Sequence, residues 1–334
     1  MSNDTRGHDP KRRHLLGMAA AGLAATLTDR VARAQAAGFP SKPIRIVVPF
    51  NAGSGSDSAA RIYGEVMARS LGQTVVVENR PGGSGLLAIQ LVKQAPADGY
   101  TMFVGSTSPM CVMPVLTKNL PYDAFKDLRP VHGMSVGGAT IIVKGDSPYK
   151  TLPELLAAAK RENKVLNVGT YSDGYMLVAQ WVGAVGGVKI NNIPYKGGIQ
   201  SQTDLAAGQL DLAINDSSGV VQLKREGRIR VLAITSDKRE PKYPEVPTML
   251  ELGYAGFETY VFASLFVRAE TPDDITNKLA DSVRAAMLSP EGKAYQALNA
   301  GGPMMLHTKE LGDFQRKEYE RFKKVAEAAG IQPK

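Results

Sequence analysis

The sequence predicts an α/β protein of two domains, each a mainly parallel sheet flanked by helices. Three observations predict this class. Short β-branched runs alternate with longer stretches of helical spacing, the pattern of parallel strands joined by crossover helices. One unit, an apolar strand ending in a small polar loop that leads into a helix, occurs in both halves, at Ile44–Arg61 and at Val165–Val185. Between them, Val136-Gly137-Gly138-Ala139 interrupts the pattern with paired glycines, which suit a hinge. With 334 residues, 43% of them hydrophobic, the chain is long enough to bury a core in each half.

The first unit runs from the strand Ile44–Val48 through Pro49-Phe50-Asn51-Ala52-Gly53-Ser54-Gly55-Ser56-Asp57 into a helix. Ala59, Ile62, Tyr63, Val66, Met67, Ser70 and Leu71 recur three or four apart, and Ser56 and Asp57 stand where a cap is expected. Such a loop gathers free backbone N–H groups at the positive end of a helix dipole, which favours a carboxylate or phosphate. No Gly-Lys-Ser/Thr follows, so by itself the loop reads first as an ordinary βα turn.

Further strands are predicted at Gln73–Glu78 and Thr101–Gly105, the second ending in the polar loop Ser106-Thr107-Ser108. Arg80, in the turn Asn79–Gly85, either braces that turn or meets a carboxylate. After Leu128–Met134 and the hinge comes the strand Thr140–Val143, then a helix opened by Thr151 and Glu154 at capping-box spacing. Val165–Gly169 ends in Thr170-Tyr171-Ser172-Asp173-Gly174-Tyr175, and the helix that follows carries Trp181 as a core residue. Ile190–Ile193 leads to Tyr195, Leu210–Ile214 ends in Asn215-Asp216, and Arg230–Thr235 is a further strand. Tyr260–Val267 returns the chain to the first domain, where Pro272–Leu288, Pro290–Asn299 and Lys309–Ala329 are helical. The domains are therefore 39–137 plus 262–334, and 138–261, hinged near Val136–Ala139 and Glu258–Phe262.

Residues 1–36 have the pattern of an export signal. Lys11-Arg12-Arg13 precedes a weakly apolar, alanine-rich run, and Ala32-Arg33-Ala34 and Ala34-Gln35-Ala36 are small-x-small cleavage patterns. The arginine pair favours the Tat route and leaves Sec open, which places the mature protein in the periplasm. Six basic and three acidic residues lie in this segment, so its removal lowers the net charge from +8 to +5. That mild charge, with no cluster of basic and aromatic residues, argues against nucleic acid.

Cys111 is the single cysteine, so no intrachain disulfide can form. His8 and His14 lie in the export segment, leaving His132 and His307, both read as surface residues. Neither stands near another ligand-type residue, and no Gly-x-Ser-x-Gly elbow is present, so neither a metal site nor a hydrolytic nucleophile is expected. The chain reads as a non-enzyme without a cofactor.

Several stretches in order resemble the Bug family, the extracytoplasmic solute receptors of tripartite tricarboxylate transporters, over about residues 39–330. They are Val48-Pro49-Phe50 with Gly53, Asp57 and Ala60-Arg61; Val77–Gly82; Ala97–Thr101; Leu120–Asp123; Ile193–Gly198; Thr203-Asp204-Leu205 with Gly208; and Val246-Pro247-Thr248. The resemblance implies a two-domain periplasmic binding protein, type II-like, holding a solute in its cleft through backbone amides, hydroxyls and water. The implied ligand-binding residues are Phe50, Asn51, Ser54, Gly55, Ser56 and Asp57 in one jaw. Tyr171, Ser172, Asp173, Gly174 and Tyr175 form the other, and Ser106, Thr107, Ser108, Tyr195, Asn215 and Asp216 the walls.

Three departures bear on the ligand. The usual double glycine of the first loop is Gly53-Ser54, the second loop is shorter and has Met176 where a histidine is usual, and the later acidic-amide pair is reversed as Asn215-Asp216. Asp173 either caps its own helix or pairs with an ammonium or ring nitrogen of the solute. The expected partners are a small organic acid, amino acid or aromatic carboxylate and the membrane permease of a tripartite transporter, with the protein acting as a monomer. The competing readings are an exported enzyme acting on a small organic acid and a ligand receptor for a sensor system.

Overall fold

A computed structural model describes residues 38–328 and 330–333; the export segment, 1–36, lies outside the described residues. Lys42–Lys334 forms one compact unit. Its described residues form eleven strands: β1 (Ile44–Val48), β2 (Val75–Asn79), β3 (Thr101–Ser106), β4 (Leu128–Gly137), β5 (Ala139–Lys144), β6 (Leu166–Thr170), β7 (Ile190–Pro194), β8 (Leu212–Asp216), β9 (Ile229–Ile234), β10 (Val261–Arg268) and β11 (Gly302–Pro303). The longer helices are α1 (Gly55–Leu71), α2 (Leu86–Gln94), α3 (Leu152–Arg161), α4 (Asp173–Gly186), α5 (Gly198–Ala206), α6 (Asp273–Leu288), α7 (Pro290–Leu298) and α8 (Thr308–Ala328).

The strands make two sheets, ordered β11-β4-β10-β3-β1-β2 and β7-β6-β8-β5-β9. Both are mixed. β1 pairs in parallel with β2 and β3, and β6 with β7 and β8, while β10 runs antiparallel to β3 and β4, and β5 antiparallel to β8 and β9. The antiparallel strands are those that carry the chain between the sheets. β4 leaves the first sheet and β5 enters the second with only Gly138 between them. β10 then returns beside β4, with Val261 opposite Gly137.

Continuously apolar strands form where both faces are covered. Val47, Phe103 and Phe266 are fully buried in the first core, and Ile141, Val168 and Ile214 in the second. Each such side chain contributes about 1.5–3 kcal/mol by leaving water. Trp181 on α4 touches both cores and stacks on Phe257, with ring centroids 3.8 Å apart. At α3 the expected capping box is present, with the Thr151 hydroxyl and the Glu154 carboxylate each accepting a backbone N–H.

Two sequence expectations need correction. His132 is buried, because β4 turns it inward opposite Leu265, and its ring meets the His307 ring edge-on at 5.8 Å. That burial lowers its basicity. The cap of α1 is Ser54, neither Ser56 nor Asp57, because Gly53 turns the chain at φ +83° and starts the helix one residue after the serine.

Candidate functional site: a polar cavity at the strand ends

The carboxyl ends of β1 and β3 open toward those of β6 and β8, and a cavity of about 80 Å³ lies among the loops that follow them. The first wall is the β1–α1 loop. The Ser54 hydroxyl accepts the Asp57 N–H at 3.2 Å, and the Asp57 carboxylate accepts the Gly53 N–H at 2.9 Å. Arg61 Nε (3.2 Å) and Asn79 Nδ2 (2.9 Å) donate to the same carboxylate. Burial alone would raise the Asp57 pKa, but these donors outweigh it and hold the group below the usual carboxylate value. Asp57 thus braces the loop from behind. Phe50, Ser54, Gly55 and Ser56 line the cavity, so the start of α1, the positive end of its dipole, lies at this wall.

The second wall is the end of β3. Thr107 is fully engaged, its hydroxyl donating to the Tyr260 carbonyl and accepting the Phe262 N–H, both at 3.1 Å. Ser106 and Ser108 are 5% and 2% exposed, line the cavity, and have hydroxyls without a hydrogen-bond partner. Thr259, at the return to β10, lines the cavity in the same condition. Buried hydroxyls are normally paired, so three orphans around one cavity mark a place where a polar molecule binds.

The third wall comes from the second sheet. Tyr171, Ser172, Gly174 and Tyr175 lead into α4, and Asp216 ends β8. Tyr171 donates its hydroxyl to Asp216 Oδ2 at 2.6 Å, and the Tyr175 hydroxyl lies 3.1 Å from that of Tyr171. The other carboxylate oxygen, Oδ1, accepts the Ser218 hydroxyl and the Gly219 N–H, each at 2.7 Å. Burial first, and then the Asp216 charge, pushes both phenols well above their usual pKa, so they are neutral donors. The remaining walls are aromatic, with Phe50 edge-on to Tyr171 at 6.0 Å and Tyr63 edge-on to Tyr295 at 5.7 Å.

Twelve of the seventeen residues singled out in the sequence face this cavity and five do not. Asn51 stands at the rim beside Gly197, and Asp57 points behind its loop. Tyr195 donates to Asp204 at 2.9 Å, and Asn215 is buried among Gln202 and Ser201. Asp173 sits in the first turn of α4, whose cap is Ser172, and its N–H donates to the Ser84 hydroxyl at 3.3 Å. The cap residue is therefore not Asp173. Arg80 is paired with Glu78 outside the cavity.

Sequence reasoning missed Tyr63, Met134, Thr259, Tyr260, Tyr295 and Gln296, which line the cavity from two helices, from β4 and from the return segment. For Thr259 and Tyr260 the predicted hinge Glu258–Phe262 was the available signal; for Tyr63 and Tyr295 there was none, because helical spacing does not tell a core face from a cleft face. Among the described residues, no three His, Cys, Asp or Glu side chains group as a metal site, and no helix is long and apolar enough to cross a membrane.

Residues 59–331 match the tripartite tricarboxylate transporter family receptor, TctC. A UPF0065 protein encoded in the tcbD–tcbE intergenic region of Pseudomonas sp. (strain P51) is 33% identical over 313 residues, 91% of this chain and 92% of that protein. An R. palustris protein solved with adipate superposes with a TM-score of 0.84 at 29% identity, over 89% of this chain and all of the other. The periplasmic binding protein BugD superposes with a TM-score of 0.82 at 29% identity, over the same shares. The family is one of receptors and BugD is a binding protein, neither of them an enzyme. The chain belongs to the tripartite tricarboxylate transporter receptor family, with its two-domain α/β fold.

Proposed function

We propose that this chain is a periplasmic receptor that captures a small carboxylate-bearing solute in the cavity and delivers it to the membrane permease of a tripartite transporter. The observation that carries the reading is the pair of buried, unpartnered hydroxyls of Ser106 and Ser108 on the wall beside the start of α1. A carboxylate there accepts both hydroxyls, beside the positive end of the helix dipole. The adipate bound in the R. palustris relative supports the same ligand chemistry.

The proposed bodies are 39–137 plus 262–334, and 138–261, turning about Val136–Ala139 and Glu258–Phe262. The passage of single strands between the sheets supports those hinges. The site residues are those from the sequence that face the cavity, from Phe50 to Asp216, joined by Thr259 and Tyr295.

The test is a thermal-shift screen of the purified mature protein against organic acids, amino acids and aromatic carboxylates, with mass spectrometry of the recovered compound. A ligand-specific rise in Tm with the compound returned unchanged supports the reading. No response to any carboxylate, or turnover of the compound, overturns it.

A further inference from the structure

The reading above leaves the charge of the solute open, and the residues around Asp216 narrow it. Among the described residues lining the cavity, Asp216 is the only one with a charged side chain; no Lys, Arg or His is present. Every donor to its carboxylate is neutral: Tyr171, Ser218 and the Gly219 N–H. Only one donor reaches Oδ2, so that oxygen can accept another. No cation is among its partners, so nothing on the wall pairs with this carboxylate.

Strand alternation explains why an acid stands there. Successive side chains of β8 point to opposite sides. Asn215 therefore turns into the second core, where Gln202 Nε2 donates to it at 3.1 Å, and Asp216 turns to the cavity. The opposite order of the two residues would bury the acid and present the amide. The sequence Asn-Asp thus sets the sign of the wall.

The opposing jaw cannot neutralise two anions. A Cβ on Gly55 would lie 3.3 Å from Asp216 Oδ1, so the carboxylate already sits against the start of α1. The helix end is worth about half a positive charge. The second helix start, that of α4, has Asp173 in its own first turn. A solute with two carboxylates would bring one of them toward Asp216 with no cation between.

We infer that the solute carries a protonated nitrogen as well as a carboxylate, and that Asp216, at the start of α1, receives that nitrogen while the unpartnered hydroxyls of Ser106 and Ser108 receive the carboxylate. This rests on the carboxylate-receptor reading above. The neutral rings of Tyr171 and Phe50 beside Asp216 add a surface that tolerates a cation and repels no part of it.

Pairs of compounds matched in shape test the inference by calorimetry on the mature protein: terephthalate against 4-(aminomethyl)benzoate, and succinate against 4-aminobutanoate. The amino member of at least one pair is expected to bind tenfold or more tighter than its dicarboxylate. Asp216→Asn is expected to erase or reverse that ratio. Tyr171→Phe, which strips a neutral donor from the carboxylate, is expected to widen it and serves if the first variant does not fold. Dicarboxylates binding as tightly as their amino partners, or a ratio unmoved by either variant, overturns the inference and leaves the receptor reading standing. If no carboxylate of any kind binds in the wider screen, the receptor reading fails and takes the inference with it.

Discussion

The Asp57 carboxylate accepts the Gly53 N–H at 2.9 Å while Arg61 and Asn79 hold it from behind, which closes the first jaw into a braced ring. Asp57→Ala removes the acceptor from three donors at once and is expected to cost about 2–3 kcal/mol of stability. Because the native pKa is lowered, this contribution is present above the unfolded value near 3.8 and is lost as pH falls through the native value. Denaturant titrations at pH 7 and pH 3 check it. The gap between wild type and variant should be full at the first pH and smaller at the second, because pH 3 lies below the unfolded value of 3.8.

Gly55 faces the opposing jaw so closely that a side chain there would make the facing side chains give way by a few tenths of an ångström. A Cβ there would sit 3.0 Å from Ser218 Oγ and 3.3 Å from Asp216 Oδ1. Gly55→Ala is expected to leave the unliganded protein as stable as wild type, within about 0.5 kcal/mol. Affinity for the best acid from the screen is expected to fall about tenfold, or ~1.4 kcal/mol. An unchanged affinity would show that the jaws do not need to meet this closely.

Removing the two orphan hydroxyls separates binding from folding. Ser106→Ala with Ser108→Ala takes away buried polar atoms that make no hydrogen bond in the protein, so stability is expected to hold or rise. Each hydroxyl given to a carboxylate is worth roughly 1.5–3 kcal/mol, so the double variant is expected to bind at least tenfold more weakly. Calorimetric titration beside a melting curve measures both signs. Equal losses in the two would mean that the serines are ordinary core residues.

Glu318, on α8 beneath the return segment, is 1% exposed and 3.2 Å from Arg321 Nε. Burial outweighs that arginine and pushes its pKa from 4.5 up to about 7. The folded protein thus holds a proton that the unfolded chain has released, and stability falls as pH rises from about 4.5 through about 7. The upper limit of that loss is about 3 kcal/mol. Glu318→Gln keeps the shape, and Arg321 retains Glu258 at 2.7 Å. The variant is expected to be more stable than wild type at pH 8 and equal to it near pH 4.5, as read from Tm against pH.

Much of the fold is legible in the sequence where one physical cause dominates. β1 and β3 are buried on both faces, so they read as apolar runs, and Thr151 with Glu154 announces α3 because the capping box is local. The cap of α1 is not legible in the same way. It depends on Gly53 adopting a left-handed conformation, which moves the start of the helix to Ser54. The burial of His132 depends on which side of an antiparallel, bulged pairing it occupies, a property of β10 as much as of β4.

The cavity divides along the same line. Strand-end residues such as Ser106, Tyr171 and Asp216 can be found from sequence, since ligands of open α/β sheets sit beyond the carboxyl ends of strands. Tyr63 and Tyr295 come from helices far apart in the chain, and nothing in helical spacing distinguishes a face turned to a core from one turned to a cleft. Asp173 and Asp216 show the finer limit. Both are acids at the ends of predicted loops, but only Asp216 enters the cavity, because the start of α4 leaves the Asp173 side chain outside it.

Trp181 is the chain's single tryptophan, and it rests on both hydrophobic cores while stacked on Phe257. Its indole emission therefore comes from one known place, at the seam that any relative motion of the sheets must disturb. The protein thus contains its own optical gauge. A solute that turns one sheet against the other is expected to change that emission, which a stopped-flow cell would time with neither label nor engineered probe.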